Sequence, residues 1–123
     1  MKKSELAVIT HTKNLLEYIF QVTQKSKLIY RYTYVSRMQN LIMEVVELLY
    51  LANDTDLYDN LRFDYQKRAK TKLRLLDTIS EASTKFNCIT FKQFNHISKE
   101  IYSVIALLDG WVNSDLKRKG NMV

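Results

Sequence analysis

"LIMEVVELLYLAND" (Leu41–Asp54) is the stretch that decides the fold. Its apolar residues recur at helical spacing over several turns, which is typical of a helix that buries a broad apolar side. The preceding stretch, "YRYTYVSRMQN" (Tyr30–Asn40), carries three tyrosines, two arginines and no acid. We therefore predict a helix that packs conventionally in its second half but opens with aromatic rings among uncompensated cations.

The composition favours long helices throughout the chain. A length of 123 residues suits one domain with a sizeable core. There is no proline, and Gly110 and Gly120 are the two glycines, so the turn residues that a sheet protein needs are nearly absent. The chain is predicted to form one all-α domain over residues 1–123, an antiparallel up-down-up-down four-helix bundle. Apolar periodicity places the helices at about 5–24, 31–52, 55–85 and 91–118.

Local signals predict how two of the helices begin. "TFKQ" (Thr90–Gln93) matches a capping box, with Thr90 as the N-cap of the fourth helix. Asn53 or Asp54 is predicted to cap the third helix, since the acids that follow suit the positive end of a helix dipole. The core stripe predicted for that third helix is Tyr58, Leu61, Tyr65, Ala69, Leu73, Leu76 and Ile79.

The positive charge is concentrated in "RFDYQKRAKTKLR" (Arg62–Arg74), which holds six cations and one acid, Asp64: +6 − 1 = +5, against a net charge of +6 for the chain. An exposed helix that neutralises its own charges would carry acid–base pairs four residues apart. Here almost no acid lies at that spacing from these bases. Lys72 projects into the apolar stripe, where a lysine is costly unless it snorkels or meets a partner. Two interpretations stay open: a solvated face, or a surface that binds an anion.

Antiparallel packing predicts a bundle with two unlike ends. The acids that gather at the end with the second loop are Glu44, Glu47, Asp54, Asp56 and Asp59. The cations that gather at the other end are Lys25, Lys27, Arg31, Arg37, Lys85 and Lys92.

Aromatic rings lie among the cations of that second end. Tyr30 and Tyr32 could stack nucleic-acid bases while the cations hold phosphates, or they could merely pack the helix end. Tyr34 is predicted to be in the core because it shares a stripe with Leu41. The surface predicted to bind nucleic acid and a protein partner consists of Arg31, Arg37, Lys67, Arg68, Lys70, Lys72, Arg74, Lys85 and Lys92.

Signatures of catalysis and of cofactor binding are missing from the sequence. His11 and His96 have no cysteine or paired carboxylate at motif spacing, and no arginine precedes them at the Arg-x4–6-His spacing of helical-bundle ribonucleases. The glutamates lack the Glu-x-x-His pattern of di-iron bundles, and two glycines cannot build a phosphate loop. We therefore expect a protein that is not an enzyme and holds no metal or cofactor.

The single cysteine, Cys88, cannot form an internal disulfide, which fits a reducing compartment. No signal-peptide pattern and no apolar run of membrane-spanning length is present. The expected location is the cytoplasm, without a membrane partner.

Three segments resemble the accessory variability determinant proteins of diversity-generating retroelements. "KLIYRYTYVSRMQNLIMEVVELLYLAND" resembles their second helix, "LRFDYQKRAKTKLRLLDTI" their basic third helix and "FKQFNHISKEIYSVIALLDGWVNS" their fourth, with Gly110–Trp111 matching a Gly-Trp element. Asp109 stands where many relatives have a further glycine. The likeness covers roughly residues 10–116 and belongs to the wider four-helix bundle family of proteins encoded by intervening sequences in 23S rRNA genes. Absence of that branch's Asn-Ile-Ala-Glu-Gly-like segment favours the retroelement branch.

The resemblance implies a non-enzymatic accessory protein. Such proteins are barrel-shaped homopentamers with basic surfaces, which bind a reverse transcriptase and its template RNA, with DNA as a further candidate ligand, to support mutagenic cDNA synthesis. The residues themselves indicate surplus apolar cover suited to a homo-oligomer. The predicted interface residues are Ile9, Leu16, Phe20 and Trp111. The alternative is a four-helix bundle protein–protein adaptor of the intervening-sequence family without a retroelement role, whose cations meet only acidic protein partners.

Overall fold

The computed structural model describes residues 6–120, except for the side chains of Leu28 and Arg31. Those residues form four helices and no strand, which confirms the all-α prediction. The predicted start of the first helix at residue 5 lies outside them, and none of their helices is long and apolar enough to span a membrane. The helices are α1 (Ala7–Val22), α2 (Leu28–Tyr30, a π-helical segment Arg31–Val35, then Ser36–Asp54), α3 (Asn60–Thr84) and α4 (Phe91–Gly120).

The helices pack as a closed square of antiparallel neighbours. Each contacts the next along the chain, and α4 returns to α1. The loops at 23–27 and 85–90 meet at one end of the bundle, where the Ser26 hydroxyl donates a hydrogen bond of 2.7 Å to the Cys88 carbonyl. The loop at 55–59 lies at the other end, beside the last turns of α4. This is the predicted up-down-up-down bundle.

The side of α3 that faces the core follows a regular spacing of four and three residues. Its apolar centre is Ala69, Leu73 and Leu76, all fully buried. The same spacing continues in both directions through polar residues: Arg62 and Gln66 towards the helix start, Ser80 and Ser83 towards its end. The predicted stripe is therefore wrong at its beginning: Tyr58 and Leu61 are 56% and 51% exposed, because Arg62 and Gln66 occupy the buried positions.

The start of α4 is as predicted, whereas the start of α3 is not. The Thr90 hydroxyl accepts a bond of 3.0 Å from the Gln93 amide, and the Gln93 side chain accepts one of 2.9 Å from the Thr90 amide. In the loop before α3, the Asp56 carboxylate binds the Tyr58 amide and holds the backbone out of the helix. Asp59 then caps α3 by accepting a bond of 2.9 Å from the Leu61 amide. Asn53 and Asp54, the predicted caps, are the last residues of α2.

The opening of α2 departs from regular α-helix within the aromatic and basic stretch Tyr30–Asn40. Arg31–Val35 is π-helical, with the wider turn that occurs mostly as single-turn bulges and often near functional sites. Tyr34 was predicted to be in the core but is half-buried, and its ring stacks on Phe86 at 5.1 Å between centroids.

Candidate nucleic-acid interface

Most cations of the Arg62–Arg74 stretch are neutralised inside the chain. The prediction that almost no acid pairs with them is wrong, because three of the acids come from neighbouring helices rather than from α3. Lys72, half-buried, meets Glu44 of α2 at 3.0 Å, which supplies the partner that its position requires. The other two surface pairs are Lys70 with Asp109 of α4 at 3.1 Å and Arg68 with Asp64 at 3.8 Å.

Arg62 forms a buried cluster that the sequence did not reveal. Its Nε and Nη2 donate to the two oxygens of Asp115 at 2.7 and 3.0 Å, and Gln66 donates a further bond of 3.0 Å to that carboxylate. Its Nη1 donates to the Thr55 carbonyl at 3.0 Å, and its guanidinium lies 5.2 Å from the Trp111 ring centroid. Arg62 therefore joins the loop after α2 to the end of α4 and offers little charge to a ligand.

The charge state of Asp115 follows from this geometry. Burial alone would raise the pKa of its carboxyl group. The hydrogen bonds from Arg62 and Gln66, together with the charges of Arg62 and Arg118, outweigh burial and lower that pKa below its ordinary value. The carboxylate is thus ionised at neutral pH and holds Arg62 in place.

Two cations of the stretch remain available at the surface. Lys67 is exposed, with its ammonium 5.0 Å from the Phe63 ring centroid. Arg74 is also exposed, and within residues 6–120 neither side chain has a carboxylate within 4 Å. The predicted α3 surface is therefore reduced to two unpaired charges.

A larger group of unpaired cations lies at the end where loops 23–27 and 85–90 meet, which we call the basic pole. Its described cations are all exposed, and in the part of the chain that the structure describes none has a carboxylate within 4 Å. Arg31 belongs to the same end by its backbone, but its side chain lies outside the described ones. The five cations of the basic pole are Lys25, Lys27, Arg37, Lys85 and Lys92.

Aromatic packing holds the basic pole together and leaves other rings exposed. Tyr30 and Tyr34 both contact Phe86, at 5.4 and 5.1 Å between ring centroids, so the start of α2 is fixed to the loop before α4. Tyr32 is 83% exposed and Phe91 63%. Of the two open interpretations of the tyrosines, packing holds for Tyr30, whereas Tyr32 presents its ring to solvent among the cations.

A simple sequence signal would have identified the basic pole. Residues 18–43 and 82–99 contain no aspartate or glutamate, and the fold brings the loops inside these two segments together. The dense run of cations on α3 is a misleading signal, because local charge density does not reveal which acids other helices supply.

The opposite end is less acidic than predicted. Asp54, Asp56 and Asp59 do lie there, but so does the end of α4 with Lys117, Arg118 and Lys119. The bundle is polarised mainly by an excess of unpaired cations at one end, not by a separation of opposite charges.

The predicted interface residues differ in how much surface they offer. Ile9 is 0% exposed within a single chain, so assigning it to an interface is wrong: it belongs to the bundle core. Leu16, Phe20 and Trp111 are half-buried against that core and keep some outward surface.

A more exposed apolar group lies elsewhere, near the acid-containing end. Leu61, Phe63 and Leu116 line a cleft of about 430 Å³ between the start of α3 and the end of α4. These side chains form an apolar surface at the end opposite the basic pole.

The histidines do not come together. His96 packs its ring against Tyr18 at 4.5 Å, whereas His11 lies seven residues earlier on α1, about 10 Å along the helix axis. No group of three or more potential metal ligands occurs within residues 6–120. The chain matches no protein-family model and no curated protein sequence.

Proposed function

We propose that this protein is a non-enzymatic nucleic-acid-binding bundle that binds RNA through its basic pole. The observation that carries the proposal is the set of exposed cations there without a carboxylate partner, while most cations of α3 are paired. A cation that already has a carboxylate partner must give it up to bind a phosphate, whereas an unpaired one exchanges only mobile counterions. The basic pole is thus the better phosphate-binding surface.

The rings of the basic pole favour single-stranded RNA as the ligand. Stacking of a base on an aromatic side chain is worth about 1–3 kcal/mol and requires bases that are not held in a duplex. The exposure of Tyr32 supports this role, and the contact of Tyr30 with Phe86 fixes the backbone two residues before it.

In keeping with the resemblance, the RNA is the template of a diversity-generating retroelement, and the same surface meets its reverse transcriptase in the cytoplasm. Repetition of the basic pole in a homo-oligomer, a pentamer by that resemblance, would multiply weak phosphate contacts through avidity. Leu16, Phe20 and Trp111 supply the apolar cover for such an assembly.

Two triple variants with the same change of charge test the binding surface. Lys25→Ala/Lys85→Ala/Lys92→Ala removes three cations from the basic pole, and Lys67→Ala/Lys70→Ala/Arg74→Ala removes three from α3. Each lost phosphate contact should reduce the slope of log affinity against log salt by about 0.7 for a single strand. We expect the variant at the basic pole to lose about 2 in slope and the α3 variant to lose less, because Lys70 is engaged by Asp109.

The measurement is fluorescence anisotropy of a labelled single-stranded RNA over a salt series, with circular dichroism to establish folding. Equal losses for the two variants would mean that binding follows net charge rather than this surface. Wild-type affinity in the basic-pole variant would refute the proposal.

A second candidate function, a protein–protein adaptor, is favoured by the apolar cleft near the acid-containing end. Leu61 and Leu116 are each more than half exposed there. Leu61→Lys/Leu116→Lys should abolish capture of a purified reverse transcriptase if this cleft is the docking site, while RNA affinity stays unchanged. Loss of RNA binding in the basic-pole triple variant together with unchanged reverse-transcriptase capture would assign the two partners to different ends of the bundle.

A further inference from the structure

A cleft at the basic pole has a chemical lining different from the rest of that surface. It lies between the end of α1 and the segment that leads into α4, and has a volume of about 510 Å³, within the range of about 300–1,000 Å³ for small-ligand sites. Its lining includes the apolar Val22, Cys88 and Ile89, the last two of which are buried. Burial raises the pKa of the Cys88 thiol, so this part of the lining is uncharged at neutral pH.

The rest of the cleft is lined by amide side chains, by Thr90 and by one cation. Gln21 and Asn87 are exposed, and their side chains have no hydrogen-bond partner within residues 6–120. Gln93 uses its side-chain oxygen in the capping box, which leaves its Nε2 donor directed to no described group. Lys25 also lines the cleft. The site therefore offers amide donors and acceptors, one positive charge and an apolar surface.

The charge of this cleft distinguishes it from three others on the described surface. Each of those contains at least one carboxylate, from Asp59, Glu44 or Asp77 among others, which would repel a phosphate. The lining of the cleft at the basic pole contains no acid. An anionic ligand that carries a planar group with hydrogen-bond donors and acceptors fits this arrangement.

We propose that this cleft binds one unstacked nucleobase of a single-stranded RNA, with Lys25 holding an adjacent phosphate. The proposal rests on the proposed function and adds base discrimination to it. Asparagine and glutamine amides present a donor and an acceptor side by side and pair with base edges, which can discriminate between bases by about fivefold or more. Stacking on Tyr32 tolerates any base and gives only modest preferences, so a larger base preference is the property that the amides would supply.

The test removes amides without removing charge. Gln21→Ala leaves a good helix former near the end of α1, and Asn87→Gly keeps the left-handed backbone at that position, where φ is 61°. The matched control is Asn14→Ala/Asn95→Ala, which removes two exposed amides from helices outside the cleft. Affinities are measured for oligo(A), oligo(C) and oligo(U) of equal length over a salt series.

We expect wild-type affinities to differ between these oligonucleotides by about fivefold or more, and the control variant to keep that difference. The Gln21→Ala/Asn87→Gly variant should reduce the difference to less than about twofold while its salt slope stays that of wild type, because its phosphate contacts are intact. Equal wild-type affinities for all three, or a difference that survives in the double variant, would overturn the base site. The proposed function would then still stand if the salt slope depends on the cations of the basic pole, and would fall if it does not.

A single substitution gives a second test should Asn87→Gly disturb the loop. Gln93→Glu keeps the oxygen that caps α4 but replaces the amide donor. Asn95→Asp adds the same charge two residues away, outside the cleft. Loss of base preference in the first variant and its retention in the second supports the site; identical behaviour of the two contradicts it.

Discussion

Arg62 belongs to the basic stretch of α3, but its charge is paired inside the bundle and does not face a ligand. Its side chain is nearly buried, and its donors reach Asp115 and the Thr55 carbonyl. A buried ion pair is not an efficient source of stability in itself, since both charges are desolvated, but removal of one partner leaves the other buried and uncompensated. Replacement of one partner alone should therefore cost more stability than replacement of both.

We expect Arg62→Ala to lower the free energy of unfolding by about 3–5 kcal/mol, because Asp115 would remain buried without its main partner. Arg74→Ala, which removes an exposed arginine from the same helix, should change it by less than about 0.5 kcal/mol. Urea denaturation followed by circular dichroism measures both. The double variant Arg62→Met/Asp115→Leu should recover much of the loss; a single variant no worse than Arg74→Ala would show that the cluster contributes nothing.

Acidification tests the same cluster without mutation of Arg62. The pKa of Asp115 in the folded chain is below its ordinary value of 3.8, so its ionised form contributes stability that is fully present above that value. This contribution is lost as the pH falls through the lower, folded-state pKa. Between neutral pH and about pH 2, Asp115→Asn should therefore lose less stability than the wild type does; parallel losses would contradict this assignment.

At the scale of a helix, the start of α3 shows how competing side chains move a boundary. Asp59, not Asp54, caps the helix, because the Asp56 carboxylate first binds the Tyr58 amide. We expect Asp59→Ala to destabilise the protein by about 1 kcal/mol, the usual cost of a lost N-cap. Asp54→Ala should be neutral or slightly stabilising, since an acid at the end of α2 opposes that helix's dipole. Thermal unfolding of the two variants would distinguish the caps, and a larger loss for Asp54→Ala would reverse the assignment.

The helices and their antiparallel order were predictable because apolar periodicity and short loops are local properties of the chain. The capping box at Thr90 was predictable for the same reason. The core side of α3 was misplaced at its start, since Arg62 and Gln66 hold positions that a hydrophobicity criterion assigns to Leu61 and Tyr65. The candidate site was only partly predictable: whether Lys70 or Lys72 is paired depends on acids that other helices bring near, which sequence spacing within α3 does not report.

At the scale of the whole molecule, apolar surface beside the core motivates the prediction of a homo-oligomer. Leu16 and Phe20 lie one turn apart on α1 and are half-buried in a single chain. We expect light scattering at micromolar concentration to give a mass that is a multiple of the 14.6 kDa chain. A mass of one chain would contradict the prediction.

Two charged variants would locate the interface of the predicted oligomer. Leu16→Lys/Phe20→Lys should shift the mass towards a single chain without unfolding it, because long lysine stems can lie over the core and carry their charge to solvent. Phe91→Lys, at an exposed ring of the basic pole, should leave the mass unchanged. The reverse pattern would move the interface to the basic pole, where it would compete with RNA.

The π-helical turn at Arg31–Val35 has a consequence for how this chain can change in length. A chain that lacked one residue there could continue as regular α-helix, and everything before the deletion would turn by about 100° around the helix axis. Tyr30 would swing away from Phe86, and the ring of Tyr32 would no longer point where it does now. A single-codon deletion could thus redirect the aromatic surface of the bundle while leaving the core residues from Met38 onwards in place.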